Sequence, residues 1–230
     1  MKKFFVFAMA ISIFGLSNIG AEAVVDAFEL KGGDQIYFFA DGGKKYVAYT
    51  ISTKTWSTVY NTKQMFGSTI PLNEVSATFT LKDGDQIYFF DGTGTNYVAY
   101  TLSTKTWSKS ASVAQMFGGG NPLASVGASF EMKGGDQIYF FDKSGTQYAA
   151  YTISKKEWTK AVPTKGMFGG TSPFEAVGTT FSANKGDQLY FFDLLGDNYA
   201  VYTISTKTWT RTVPITAAFG GGFPKELIKK

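Results

Sequence analysis

The stretch Gly84-Asp85-Gln86-Ile87-Tyr88-Phe89-Phe90 occurs four times in this chain of 230 residues. The same letters stand at Gly33 to Phe39 and Gly135 to Phe141, and at Gly186 to Phe192 with Leu189 in place of isoleucine. The interval is constant at 51 residues: it separates Trp56, Trp107, Trp158 and Trp209, and equally Phe28, Phe79, Phe130 and Phe181. A period of this length marks a propeller, a solenoid or an array, in which each unit buries its apolar faces against its neighbours.

The chain opens with Lys2 and Lys3, continues through an apolar run from Phe4 to Leu16, and reaches Ala21-Glu22-Ala23. A basic start, a short apolar core and a small-x-small site predict a secretory signal peptide over 1-23, cleaved after Ala23. The apolar run is shorter than the roughly 20 residues that span a bilayer, so no membrane span is expected in the mature chain. Residues 24-230 then form one domain of four units, near 24-73, 74-124, 125-175 and 176-230, and the protein is expected to be secreted or periplasmic.

Cysteine is absent, so disulfides cannot hold the exported chain together and no lipid can be attached through a thiol. Its 22 Phe, 13 Tyr and 4 Trp must supply the core instead. The formal charge of +4 is small and scattered, and Arg211 is the only arginine, which argues against nucleic-acid binding.

One unit reads as a small antiparallel sheet. Val75 to Leu81 suits a strand, and Lys82-Asp83-Gly84 suits a turn whose glycine can take positive φ. Asp85 to Phe90 is apolar or aromatic on both faces, as a strand covered on both sides must be. Asp91-Gly92-Thr93-Gly94 makes a hairpin, Asn96 to Ser103 a third strand, and Lys105 to Ser108 a short fourth. Val113 to Phe117 suits one or two helical turns, stopped by Gly118-Gly119-Gly120 before Pro122 begins the crossing. Four such strands, repeated, predict a β-propeller blade. A sandwich rarely repeats so strictly, and a solenoid needs end units unlike its interior ones.

The pattern Val-x-x-x-Phe, Gly-Asp-Gln-Ile-Tyr-Phe-Phe, a glycine turn, Tyr-x-x-Tyr and Met-Phe-Gly-Gly before proline resembles the hemopexin repeat, from Val24 to about Pro224. The resemblance implies an all-β, four-bladed β-propeller of hemopexin type, with one four-stranded blade and a short helix per repeat. A kelch propeller is the rival, on Tyr and Trp spacing, but it usually has more blades and lacks the Met-Phe-Gly segment. Two departures stand out. The family's Asp-Ala-Ala is replaced by Val25-Asp26-Ala27, Ser76-Ala77-Thr78, Gly127-Ala128-Ser129 and Gly178-Thr179-Thr180, and the disulfide that often closes such rings is missing. Packing between the first and last blades must close this one, with the tail Lys225 to Lys230 as a further aid.

The resemblance also implies an axial cation, Ca²⁺ or Na⁺, on the backbone carbonyls of Val25, Ser76, Gly127 and Gly178. Heme is not expected, because the family binds it through histidine and this chain has none. The missing histidine and cysteine also remove the common nucleophilic devices and zinc ligands. Asp34, Asp85, Asp136 and Asp187 recur in every unit, which suits turn capping better than an acid/base pair. The chain is therefore expected not to be an enzyme.

Three roles remain. The first is a binding protein for a macromolecule, using loops where the units differ: Lys44-Lys45, Thr58 to Lys63, Lys109 to Ser112, Lys143 to Gln147, Lys155 to Glu157 and Leu194 to Asn198. The second is a lectin with repeated carbohydrate sites at Trp56, Trp107, Trp158 and Trp209, in which exposed indoles stack on sugar rings. The third is a structural surface or matrix component.

Overall fold

A computed structural model describes residues 24-30, 34-67, 69-81, 85-132, 134, 136-170, 172-183 and 186-220. The expected leader over 1-23, the turn Lys82-Asp83-Gly84 and the tail Lys225 to Lys230 lie outside the described residues.

Each unit forms its own antiparallel sheet. The first holds β1 (Asp26–Glu29), β2 (Gln35–Ala40), β3 (Lys45–Thr50), β4 (Thr55–Trp56) and β5 (Tyr60–Asn61). The second holds β6 (Val75–Leu81), β7 (Gln86–Asp91), β8 (Asn96–Thr101), β9 (Thr106–Trp107) and β10 (Ala111–Ser112). The third holds β11 (Ala128–Glu131), β12 (Gln137–Phe141), β13 (Gln147–Thr152), β14 (Glu157–Trp158) and β15 (Val162–Pro163). The fourth holds β16 (Val177–Ala183), β17 (Gln188–Asp193), β18 (Asn198–Thr203), β19 (Thr208–Trp209) and β20 (Val213–Pro214). In every sheet the first three strands pair in sequence order, and the last two short pieces both pair with the third strand. The first strands stand around a common axis, with β1 against both β6 and β16, so the ring is closed.

The second strand of each blade explains why blades need neighbours on both sides. Period two sends Ile36 and Phe38 to one face and Tyr37 and Phe39 to the other. Ile36 and Phe38 join Phe181 and Phe192 in the core between the first and fourth blades. Phe39 joins Ile87 and Phe89 in the core between the first and second. The same contact marks all four seams. Phe28 meets Phe89 at 6.0 Å, Phe79 meets Phe140 at 5.3 Å, Phe130 meets Phe191 at 5.6 Å and Phe38 meets Phe181 at 5.8 Å, each pair edge to face. Full burial of such a ring is worth about 1.5–3 kcal/mol. The expected closure by packing between the first and last blades is made by Phe38 and Phe181.

Two local features differ from expectation. The fourth strand is broken, because a hydroxyl residue after each tryptophan takes part in the ladder. The Ala99 N–H donates to Ser108 Oγ at 2.9 Å while the Ser108 N–H donates to the Ala99 carbonyl at 2.8 Å, and Ser57, Thr159 and Thr210 do the same. The Met-Phe-Gly segment is not helical past one short turn either. Met116 is extended and Phe117 takes φ 54°, which carries the Phe117 ring onto Tyr151 of the next blade, stacked at 4.3 Å. Phe66 on Tyr100 and Phe168 on Tyr202 repeat this stitch.

The recurrent aspartates hold turns. Asp34 accepts hydrogen bonds from the Ser52 N–H at 2.8 Å and the Ser52 hydroxyl at 2.9 Å. Asp85, Asp136 and Asp187 do the same for Ser103, Ser154 and Ser205. All four aspartates are committed at the same end of the blades.

Candidate functional site

The two ends of the ring are built differently. At one end lie the turns after the third strands, Ile51 to Lys54 and its counterparts, tied to Asp34 and its equivalents and nearly identical in sequence. Lys54, Lys105, Lys156 and Lys207 each hold φ near 55° there. At the other end lie the hairpins between second and third strands, where the units diverge: Asp41-Gly42-Gly43, Gly92-Thr93-Gly94, Lys143-Ser144-Gly145 and Leu194-Leu195-Gly196. Of the loops singled out for recognition, Lys44-Lys45, Lys143 to Gln147 and Leu194 to Asn198 belong to this end. Thr58 to Lys63 and Lys109 to Ser112 border it, through pairing of β5 and β10 with the starts of β3 and β8. Lys155 to Glu157 lies at the opposite end.

In three of the divergent hairpins a glycine clasps the next blade. Gly94 takes φ 71°, and its carbonyl accepts from the Val126 N–H at 2.8 Å. A Cβ on Gly94 would lie 2.1 Å from the Val126 carbonyl oxygen, so only glycine allows this approach. Gly43 and Gly145 bind Val75 and Val177 in the same way.

These hairpins surround the axis where the first strands begin. Val25, Ser76, Gly127 and Gly178 line one cavity of about 300 Å³, together with Glu74, Lys143 and Leu194. Pairing of β6 with β7 slips at Ser76 and that of β16 with β17 at Gly178, so both residues are bulged out of their ladders. Bulges re-aim the backbone beside functional sites. None of the four carries a carboxylate; Glu74, paired with Lys44 at 3.2 Å, and the Lys143 ammonium, which donates to the Gly92 carbonyl at 2.5 Å, lie in the same wall. Burial pulls the Lys143 ammonium below its ordinary value against the upward pull of Asp91 and Glu74. Among the described residues no cluster of three or more Asp, Glu, His or Cys side chains could hold a metal.

Just below this layer sits Asp26, wholly buried between the first two blades. The Thr78 hydroxyl donates to its Oδ2 at 2.5 Å, while its Oδ1 has no partner. Burial pushes the carboxyl well above its ordinary value, against the Thr78 and Ala27 hydrogen bonds. Ala77, Ala128 and Thr179 occupy this position in the other blades. Sequence reasoning found no role for Asp26; its mismatch with those counterparts was the available signal.

A second, wider cleft of about 520 Å³ lies outward of the axis and is lined by Asn73, Glu74, Asp91, Asn96 and Ser110, among others. Desolvation pushes the Asp91 carboxyl up, but bonds from the Asn96 and Thr93 side chains and the Asn96 and Thr95 N–H groups outweigh it, leaving Asp91 below its ordinary value. Its oxygens are therefore committed to the hairpin.

The four tryptophans do not converge on anything. Each is half-buried on its own blade. Trp56 packs on Phe38 and Tyr49, Trp107 on Phe89 and Tyr100, Trp158 on Phe140 and Tyr151, and Trp209 on Phe191 and Tyr202. The Trp158 indole N–H is shut off from solvent without an acceptor. A more exposed aromatic is Tyr60, 48% accessible and stacked at 5.4 Å on Tyr46. The other blades carry Ala111, Val162 and Val213 there.

No family model matches the sequence, and no curated protein matches it. Solved structures do. The chain is similar to a hemopexin fold protein, CP4, from cow pea, with 18% identity and a TM-score of 0.64 over 86% of this chain and 96% of that one. It is similar to LS24, a seed albumin from Lathyrus sativus, with 17% identity and a TM-score of 0.64 over 89% and 97%. It is also similar to a plant lectin with two metal binding sites from Cicer arietinum, with 17% identity and a TM-score of 0.61 over 85% and 95%. Likeness at this identity is likeness of fold, and the fold is the four-bladed hemopexin type.

Proposed function

We propose that this hemopexin-fold ring is an exported, non-catalytic binding protein that recognises a macromolecular partner through the face where the axial cavity opens. The observation that carries this reading is the division of labour between the two ends. The turns at one end are near copies committed to Asp–Ser bonds, while the hairpins around the cavity have diverged in charge, size and polarity. Function on a shared fold resides in such grafted sites. The lack of histidine and cysteine, and the engagement of the recurrent aspartates in turns, favour binding over catalysis. Export rests on the leader-like residues 1-23; among the described residues no helix is long and apolar enough to cross a membrane.

The test compares two photo-crosslinkers on the intact protein, one at Thr93 on the cavity face and one at Thr104 on the opposite face, both exposed positions. Incubated with extracellular material from its own source, the protein should form a discrete adduct from Thr93 and none from Thr104. Adducts from Thr104 alone, or equally from both, would overturn the assignment.

A carbohydrate ligand is a second reading, favoured by the Tyr46–Tyr60 pair and in keeping with the lectin among the fold's neighbours. Packing of the four tryptophans against their own blades moves the stacking platform from those rings to Tyr60. A glycan array should then show binding that Tyr60→Ala abolishes and that Trp107→Phe leaves in place; the reverse pattern would restore the tryptophans.

A further inference from the structure

One hairpin on the cavity face differs in kind from the other three. Its tip is Leu194-Leu195, where the second and third blades have Gly92-Thr93 and Lys143-Ser144. The two leucines are 51% and 67% accessible, and Leu194 also lines the axial cavity beside Val25 and Val75. Two bare leucines at a hairpin tip, next to a concave wall with valines in it, form an apolar foothold that the fold itself does not use.

The charge nearest this foothold is acidic. Lys44 is paired with Glu74 at 3.2 Å and Lys45 with Asp41 at 2.9 Å, while Lys143 is bound to the Gly92 carbonyl. Asp193 and Asp197 stand on the hairpin itself and Asp41, Glu74, Asp91 and Asp142 on its neighbours, while Lys63 and the Lys165–Glu175 pair, at 2.8 Å, border the same face. Asp193 and Asp197 flank the leucines directly. Asp193 accepts from the Asp197 N–H and the Asn198 side chain, whereas no hydrogen bond or ion pair reaches the Asp197 carboxylate among the described residues. Burial, and then repulsion from Asp193, raises the Asp197 carboxyl above its ordinary value. The hairpin that carries the leucines thus has two carboxylates and no cation of its own.

We propose, on the footing that the cavity face is the binding surface, that the Leu194–Leu195 tip anchors a partner protein segment in which apolar side chains stand beside lysine or arginine. Leucine or valine side chains of that segment cover the tip and reach into the cavity mouth. Its cations meet Asp197 and the neighbouring carboxylates, which gives steering and orientation as well as contact.

The experiment uses the full chain and a fluorescent peptide of alternating leucine and lysine, with an alternating leucine and glutamate peptide and phosphatidylcholine vesicles as comparisons. The variant Leu194→Lys/Leu195→Ser restores the residues of the third hairpin, so the fold has a precedent for it. The leucine–lysine peptide should bind, and the tip variant should weaken it by about tenfold or more, as loss of an anchor does. Asp197→Thr, the residue type at Thr95 and Thr146, should weaken it less and flatten its salt dependence. Equal binding of the leucine–glutamate peptide, binding of the vesicles alone, or an unchanged affinity in the tip variant would each overturn the proposal. In the last case, loss of binding in Lys44→Glu/Thr93→Lys would leave the face intact and remove only the anchor. Survival in that variant too would remove the face.

Discussion

Phe38 and Phe181 meet edge to face with centroids 5.8 Å apart, and through that contact the first blade is joined to the fourth. The pair repeats the geometry of Phe79 with Phe140 at a seam between consecutive blades. The seam that closes the ring thus uses the same aromatic contact as one that extends it. Phe181→Ala should cost about 3–5 kcal/mol in urea unfolding, the range for a buried phenylalanine emptied to alanine. A loss below about 1 kcal/mol would mean that the first and fourth blades are held by something other than this packing.

The glycine clasps make a sharper contrast. Gly94→Ala forces a Cβ into the Val126 carbonyl, whereas Gly118→Ala, at φ 91°, meets nothing within 4 Å. Both pay for positive φ, roughly 1 kcal/mol, but only the first must also move a neighbouring strand. Thermal unfolding should show Gly94→Ala as clearly the less stable of the two. Equal melting temperatures would remove the clasp from the account of how blades dock.

Asp26 gives the protein a pH signature. Its carboxyl is raised in the folded ring by burial, so the folded state holds the proton more tightly than the unfolded chain. The stabilisation is fully present below the unfolded value of about 3.9 and is lost as pH rises through the higher folded value. Asp26→Asn keeps an acceptor for Thr78 without the ionisation. The stability gap between Asp26→Asn and the parent should therefore be small near pH 4 and widen in favour of the variant toward neutrality. A gap that stays constant across that window would count against a buried, protonated Asp26.

The axial cavity sets an expectation for ions. With its one lining carboxylate, Glu74, already paired with Lys44, and the Lys143 ammonium in its wall, the ring should not depend on Ca²⁺ for stability. Chelation with EGTA is expected to leave the melting temperature unchanged in sodium buffers. A clear fall on chelation, restored by added Ca²⁺, would show that a divalent ion sits on the axis in spite of the lysine.

The architecture was legible because the information it needs is local and repeated. Ile36, Tyr37, Phe38 and Phe39 declare a strand covered on both sides, and four copies at one interval leave a ring as the way to cover them. The role of Asp34 was equally readable, since turn capping involves only its own blade. What escaped depends on where one blade meets another. Nothing in the letters around Gly94 says that its carbonyl will face Val126, and nothing around Phe117 says that a positive φ will lay its ring on Tyr151. Ser108 looked like the end of a strand because its side chain, rather than its backbone alone, completes the ladder. For the proposed binding face, the loops Leu194 to Asn198 and Thr58 to Lys63 were marked as divergent in sequence, but only the fold shows which end of the ring they occupy.

The four joints of this ring share one edge-to-face aromatic contact. What gives the ring an orientation is the unequal layer at its hub, where Asp26 meets Thr78 and no other blade offers an acid. That pair sets the joint between the first and second blades apart from the other three.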